Sequence, residues 1–353
     1  MMTGDFIGPV ALVCPSAAPL RCGVADYAAQ LAKALAVAGV DVRLIDRPLT
    51  SRGQRAGWRA LAGFAAVHVQ YPAIGFGPSL VPHVLPLAVA APVIVTLHEF
   101  SLVHRARRLA SAAFAFGGHR LVFTTEAERS AFGRAFPWWR GAAAVIPIGS
   151  NIPGLPHDPA PVPTIAFFGH LKPNRCLDRF IAVAELAAAQ ARPWRFEIIG
   201  SPAPGQAGWV AGLQARTRSL PLSWLVDLEP AAVAGRLCRA AVAYLPYADG
   251  ASPRRGSLLA ALGNGVPVVT TDGRLCPPDL AEVVRFADTA DGVVGEIERL
   301  LADQDLARRL SRTGRAYADR LRWPAIAAAH LAFYRSILAG ARPAPAAVPV
   351  AGR

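Results

Sequence analysis

The sequence predicts an α/β protein with two doubly wound parallel sheets, and three observations predict it. Short runs rich in Val, Ile and Leu alternate with Ala-rich segments of helical period along most of the 353 residues, the pattern of parallel strands wrapped by helices. The alternation stops at residues 149–163, too rich in Pro and Gly to form an element, and then restarts. The length exceeds one compact core and fits two domains of ordinary size.

In the first half, strands are expected at 10–14, 42–46, 67–70, 93–98, 121–125 and 144–147, with helices at 24–38 and 126–136. The most hydrophobic window, 84–97, is cut by Pro86 and Pro92 and reads as a helix end followed by a buried strand. Strands then recur at 164–168, 196–200, 224–226, 242–246 and 266–271. From Asp291 onward the pattern is helical, and residues 323–338 form a last amphipathic helix. The expected domains are 1–150 and 164–322, with 151–163 as linker and 342–353 as a disordered tail dominated by Pro, Ala and Val. Two such sheets in tandem make a cleft, the preferred place for a nucleotide-bearing ligand at the carboxyl ends of strands.

Composition narrows the class. Hydrophobic residues are 53% of the chain and the mean hydropathy is +0.32, which allows large cores. No stretch offers ~20 uninterrupted apolar residues and the start lacks the pattern of a signal peptide, so a soluble, unexported chain is expected. Cys14, Cys22, Cys176, Cys238 and Cys276 are odd in number and scattered, without a Cys-x-x-Cys pair, which points to a reducing cytoplasm. The formal charge of +13 rests on arginine, since Lys33 and Lys172 are the only lysines. Such charge favours nucleotide phosphates or an anionic membrane face. Nucleic acid is not expected, because no basic stripe interleaved with aromatics occurs.

Two segments carry the chemistry. Arg254 and Arg255 lead through Gly256 and Ser257 into a short apolar helix, whose free N–H groups and positive dipole end suit a phosphate. Gly263-Asn264-Gly265 then turns the chain into a strand. At the other end, Gly23 opens a helix where backbone can approach a ligand, with Asp26 and Tyr27 beside it. The Gly-x-Gly-x-x-Gly fingerprint of nicotinamide binding is absent there.

Here the chain resembles the family 4 glycosyltransferases, which adopt the GT-B fold. The resemblance spans Val10 to about Leu338. Arg21-Cys22-Gly23-Val24-Ala25-Asp26-Tyr27 is similar to the family's P-x-CGIA-x-Y start. Val67-His68-Val69-Gln70-Tyr71 and Val95-Thr96-Leu97-His98-Glu99 look like its vHvQy and vTlHd strand ends, and residues 146–151 like its iPhGvn exit. Gly169, His170, Lys172 and Arg175 fall on its G-R-L-x-x-x-K-G donor loop, and Trp323 on the Trp that starts its crossing helix, 323–341.

The resemblance implies a metal-independent transferase, without a cofactor, that moves a sugar from a nucleotide-diphosphate donor to a glycolipid, polysaccharide or small-molecule acceptor with retention. The first domain would bind the acceptor near Gly23, Asp26, Tyr27, Gln70 and Glu99. The second would hold the donor through Gly169, His170, Lys172, Arg175, Asp249, Ser252, Arg254, Arg255, Gly256 and Ser257. His98 is the catalytic candidate and would position the reacting groups; its other reading is a strand-end histidine satisfied by backbone. Asp26, Gln70 and Glu99 are equally readable as surface or capping residues. A lipid-linked acceptor would bring the chain to the inner membrane face as a peripheral protein.

One departure stands out. The family's Glu-x₇-Glu pair falls on Ser252 and Ala260, so both carboxylates are missing. That keeps open a GT-B-shaped binding or scaffold protein, and a sugar-nucleotide epimerase as a third reading. Asp303-Gln304-Asp305 has the Asp-x-Asp form of metal-dependent transferases but sits between helices, where a cap explains it. His98 and His104 lack the spacing of a zinc helix, and no metal site is expected.

Overall fold

The computed structural model describes residues 7–15, 23–46, 61–77, 79–101, 103–116 and 118–340. Cys22 of the opening motif and the 342–353 tail lie outside these residues. The described part divides into two units, one running to Gly149 and resuming at Arg322, the other spanning Ser150–Leu321.

The first unit carries β1 (Val10–Val13), α1 (Gly23–Val37), β2 (Val42–Ile45), β3 (Ala66–Tyr71), β4 (Val93–Leu97), α2 (Arg105–Ala110), α3 (Ala112–Phe116), β5 (Arg120–Phe123), α4 (Glu126–Ala135) and β6 (Ala143–Val145). The strands pair in parallel in the order β2-β1-β3-β4-β5-β6. β1, β3 and β4 are buried along their whole length, as a sheet covered on both faces requires. β5 ends two residues earlier than its apolar run suggests. The reason is Thr125, whose hydroxyl accepts from the Glu128 N–H at 3.2 Å and caps α4.

The second unit carries β7 (Thr164–Phe168), α5 (Leu177–Ala189), β8 (Arg195–Gly200), α6 (Ala207–Arg216), β9 (Leu222–Val226), α7 (Pro230–Leu237), β10 (Val242–Leu245), α8 (Gly256–Gly263), β11 (Val268–Thr270), β12 (Arg285–Phe286), α9 (Ala290–Ala302) and α10 (Gln304–Asp319). Its sheet order is β12-β11-β10-β7-β8-β9, all parallel. Counted from its own first strand, this is the 3-2-1-4-5-6 order of the Rossmann fold. The strand order reverses between β7 and β10. β12 escapes sequence reading because it is two residues long and begins with Arg285.

One segment differs from its expected role as a linker, and the Asp303 cap falls where expected. Residues 149–163 form no helix or strand, yet they are strapped to the second unit. Leu155 N–H donates to Asn264 Oδ1 at 2.9 Å, the Asn264 amide donates to Pro153 O at 3.1 Å, and Asp158 N–H reaches Cys238 O at 2.9 Å. Asp303 caps α10, its Oδ1 accepting from Leu306 N–H at 2.9 Å.

The last helix, α11 (Trp323–Leu338), belongs to the first unit. It buries Ile326, Ala327, His330, Phe333, Tyr334 and Ile337, one stripe at helical spacing. Two members of that stripe are polar. Burying them is tolerable only where they find partners, and those partners lie on β3 and α1.

Candidate functional site

In an open α/β sheet, ligands sit outside the carboxyl ends of strands where the order reverses. In the second unit that point is flanked by the loops after β7 and β10, which hold every donor-side residue expected from sequence. The loop after β7 extends the sheet ladder: Gly169 N–H donates to Ile199 O at 3.1 Å and Leu171 N–H to Ser201 O at 2.9 Å. The approach is so close that a Cβ on Gly200 would stand 1.9 Å from Gly169 O. His170 is exposed, and Lys172 begins the 3-10 turn Pro173–Arg175. Cys176 follows in the left-handed conformation, φ 55, and starts α5.

The loop after β10 is pinned by its own crossing. Gly250, φ +81, passes so near the next loop that a Cβ there would lie 2.3 Å from Asp272 O. This holds Asp249 against Arg255, whose guanidinium pairs with the carboxylate and lies 4.7 Å over the Tyr247 ring. Tyr247 Oη and Ser257 Oγ share a hydrogen bond of 2.9 Å. Burial pushes the Tyr247 phenol up to about 12, while Ser257, Arg255 and Arg175 pull it down. Arg255 from the second loop lies against this phenol, and the charge of Arg175 from the first loop acts on it as well.

Beside this phenol lies the half-buried start of α8 at Gly256 and Ser257, preceded in the chain by half-buried Arg254 and buried Ser252. Ser252 is 2% exposed and its hydroxyl has no hydrogen-bond partner among the described residues. Arg255 Nε is likewise buried without one. A cluster of two guanidinium groups, a helix N-terminus and an idle buried hydroxyl is suited to a polyanion. Tyr247 was not anticipated from sequence. Its only signal is an aromatic residue two positions before Asp249, at the end of an apolar strand.

The first unit builds a second polar centre. Residues His68 and Gln70 on β3, and Thr96 and His98 at the end of β4, point to one sheet face through the two-residue period and the pairing of Gln70 with Thr96. His98 Nε2 donates to Gln70 Oε1 at 2.9 Å, and Gln70 Nε2 donates to His68 Nε2 at 3.2 Å. Thr96 Oγ1 donates to the same His68 nitrogen at 2.7 Å, so the His68 proton sits on Nδ1 and goes to Tyr334 Oη at 2.6 Å. His330 Nε2 meets Tyr27 Oη at 3.1 Å, and the Tyr27 ring stands edge-on to His98 at 4.9 Å.

All three imidazoles are neutral. Burial pushes His98 and His330 down to about 3, and burial with the neighbouring His330 and His98 holds His68 well below its ordinary value. Donation from Nε2 leaves His98 Nδ1 as the acceptor of a neutral ring.

Two expectations change here. Tyr27 and Gln70 were taken as acceptor contacts beside Gly23. Both are buried, and their polar atoms are engaged by His330, His68 and His98. Their bonded polar atoms are enclosed within this network, while Gln70 retains one amide N–H and one carbonyl lone pair beyond these bonds. Gly23 and Asp26 stand exposed in the first turn of α1, and Glu99 is exposed just past His98. His68, Thr96, His330 and Tyr334 were missed as a network, although the alternation of His68 and Gln70 on one strand already places them on one face.

Two parallel six-stranded units, the second in Rossmann order with a polyanion-suited reversal point, define the GT-B class of fold. Solved structures agree. Sucrose-phosphate synthase from Thermosynechococcus elongatus superposes with a TM-score of 0.70 at 20% identity, over 95% of this chain and 100% of that one. HepE from Anabaena in complex with UDP and glucose gives 0.68 at 15%, covering 93% and 100%. A glycosyltransferase from Rickettsia africae gives 0.72 at 12%, covering 94% and 98%. No protein-family model and no curated protein matches the chain. At these identities the likeness is one of fold.

Proposed function

We propose that the chain is a glycosyltransferase that takes a sugar from a nucleotide-diphosphate donor and passes it to a carbohydrate or lipid-linked acceptor with retention. The observation that carries this reading is the packing of Arg255 over Tyr247, which shares a hydrogen bond with Ser257 at the start of α8. When the glycosidic bond breaks, negative charge grows on the leaving diphosphate, and fixed cations already in place lower that barrier. Arg175, Arg255 and the α8 amides would meet the diphosphate, with Ser252 and Ser257 donating to its oxygens. HepE has been solved with UDP and with UDP-glucose, which supports a nucleotide sugar as the ligand class.

His98 in this reading offers Nδ1 as an acceptor for a ligand hydroxyl, since a ring held neutral cannot serve as a counter-cation. The counter-charge comes from arginine and backbone, without a metal or further cofactor. The reading is tested by a thermal-shift screen of nucleoside diphosphates followed by a donor-cleavage assay. Specific binding raises stability by about 2.7 kcal/mol at a hundredfold excess over Kd. A chain that binds none of the diphosphates and cleaves no nucleotide sugar is not this enzyme.

A second reading rests on the positions expected to carry the carboxylate pair. Ser252 and Ala260 are both buried, at 2% and 1% exposure, and the nearby Asp249 is engaged with Arg255. A GT-B-shaped protein that binds a nucleotide without turnover fits that chemistry. Diphosphate binding without any donor cleavage would select it.

A further inference from the structure

The loop after β10 holds one aromatic side chain whose backbone, ring face and hydroxyl are all committed to neighbours. Tyr247 is 7% exposed. Its N–H donates to Thr271 Oγ1 at 2.9 Å, while that hydroxyl donates back to Tyr247 O at 2.7 Å. A threonine just past β11 thus clamps the residue in place. The Arg255 guanidinium lies 4.7 Å over the ring, and Tyr247 Oη shares its hydrogen bond of 2.9 Å with Ser257 Oγ.

Arg255 is held at a second point by Asp249, whose carboxylate pairs with the terminal Nη2. Ring and carboxylate together fix the guanidinium, yet its Nε stays buried without a partner among the described residues. Ser252, whose carbonyl accepts from Arg255 N–H at 3.1 Å, likewise keeps an unpartnered hydroxyl although it is almost fully buried. Two idle donors on a braced arginine and its neighbour are a capacity that an anionic oxygen would fill.

The direction of the Tyr247 hydroxyl follows from such a ligand. An ionised phosphate oxygen only accepts, so the Ser257 proton goes to it and Ser257 Oγ takes its own bond from the phenol. Burial pushes that phenol up to about 12, with Ser257, Arg255 and Arg175 pulling the other way, so it keeps the proton it donates.

We propose that Tyr247 is the positioning residue of the polyanion site: its ring face sets the plane of Arg255, and its hydroxyl sets the proton of Ser257, before a diphosphate arrives. A long arginine and a serine rotor lose freedom when a ligand fixes them, and a platform that fixes both beforehand removes that cost from binding. The inference rests on the reading of this site as one for a diphosphate, and not on the transfer step.

The test is isothermal titration of the full chain with inorganic pyrophosphate, the part common to every nucleotide-diphosphate donor. The parent chain is expected to bind. Tyr247→Phe keeps the ring and loses the hydroxyl, so affinity should fall by about two- to tenfold, the share of one neutral hydrogen bond. In a Ser257→Ala background the same change should cost less than about twofold, because the group it acts through is gone. Tyr247→Leu removes the ring as well and should lose a further factor of about two to thirty, a loss that disappears when Arg255→Gln is also present. Tyr244→Phe alters a buried tyrosine on β10 and should bind as the parent does.

A parent chain that does not bind pyrophosphate overturns the proposal. So does a Tyr247→Phe effect that is absent, that is matched by Tyr244→Phe, or that persists undiminished in the Ser257→Ala chain. Pyrophosphate binding with these couplings but no cleavage of any nucleotide sugar upholds the proposal and removes the transfer reading. Donor cleavage with kcat and KM unchanged in Tyr247→Phe does the reverse.

Discussion

His98 Nε2 donates to Gln70 Oε1 at 2.9 Å, and Gln70 in turn donates to His68. A strand-end imidazole is thereby fixed in one tautomer by an amide that is itself wholly enclosed. Replacing Gln70 with Leu keeps the volume near but leaves the His98 N–H unsatisfied, while His68 Nε2 keeps the Thr96 hydroxyl as its donor. The expected cost is about 1–3 kcal/mol of stability, read by urea unfolding at neutral pH. Turnover should fall further than that of a neighbouring core variant of equal stability cost.

The buried histidines set a pH dependence whose sign follows from their direction. His98 and His330 hold folded values of about 3, far below the ordinary 6.5, so the unfolded chain binds more protons between those limits. Stability is full above about pH 6.5 and is lost as pH falls, with a slope approaching about 1.4 kcal/mol per pH unit for each histidine. Unfolding midpoints at pH 7, 6 and 5 should show it, and His330→Leu should flatten the slope by one histidine's share. A midpoint independent of pH over that range contradicts the neutral network.

On the donor side, Arg175→Gln and Arg255→Gln should each weaken nucleoside diphosphate binding. A hydrogen bond to a charged group contributes about 1.5–3 kcal/mol, which is roughly 10- to 100-fold in Kd. Arg308→Gln, which removes an exposed partner of Asp305, serves as the control and should bind as the parent does. Isothermal titration with the preferred diphosphate decides between them.

Backbone spacing makes a prediction that involves no charge. A Cβ on residue 200 would collide with Gly169 O, so Gly200→Ala must displace the loop that carries His170, Lys172 and Arg175. Diphosphate affinity should drop together with thermal stability. Gly212→Ala, at a helical position with nothing near its Cβ, should leave both intact or raise stability slightly.

Most of the architecture could be read from residue pattern. The runs at β1, β3, β4 and β10 are buried from end to end, and mostly apolar, because a doubly covered parallel sheet buries both faces of each strand. Arg255 and Gly256 announce a helix start with free amides, and the Pro-rich interval separates two cores. What escaped was what pattern does not encode. β12 is too short and too polar to show a period, Tyr247 becomes a site residue only when the loop after β10 folds Arg255 and Ser257 back onto it, and the 149–163 strap is held by Asn264, whose partners no local rule supplies.

The sequence by itself determined the class of fold, the two-unit division and the list of cations that could face a diphosphate, because periodicity, composition and turn chemistry act over a few residues. Only the tertiary structure decided that the polar atoms of Tyr27 and Gln70 are buried against His330, His68 and His98, and that Arg255 packs over the Tyr247 ring. The reason is physical: whether a polar group is free to bind depends on which distant partner has already taken its hydrogen bonds. For His98 that partner chain ends on Tyr334, 236 residues away, on the helix that returns to the first unit.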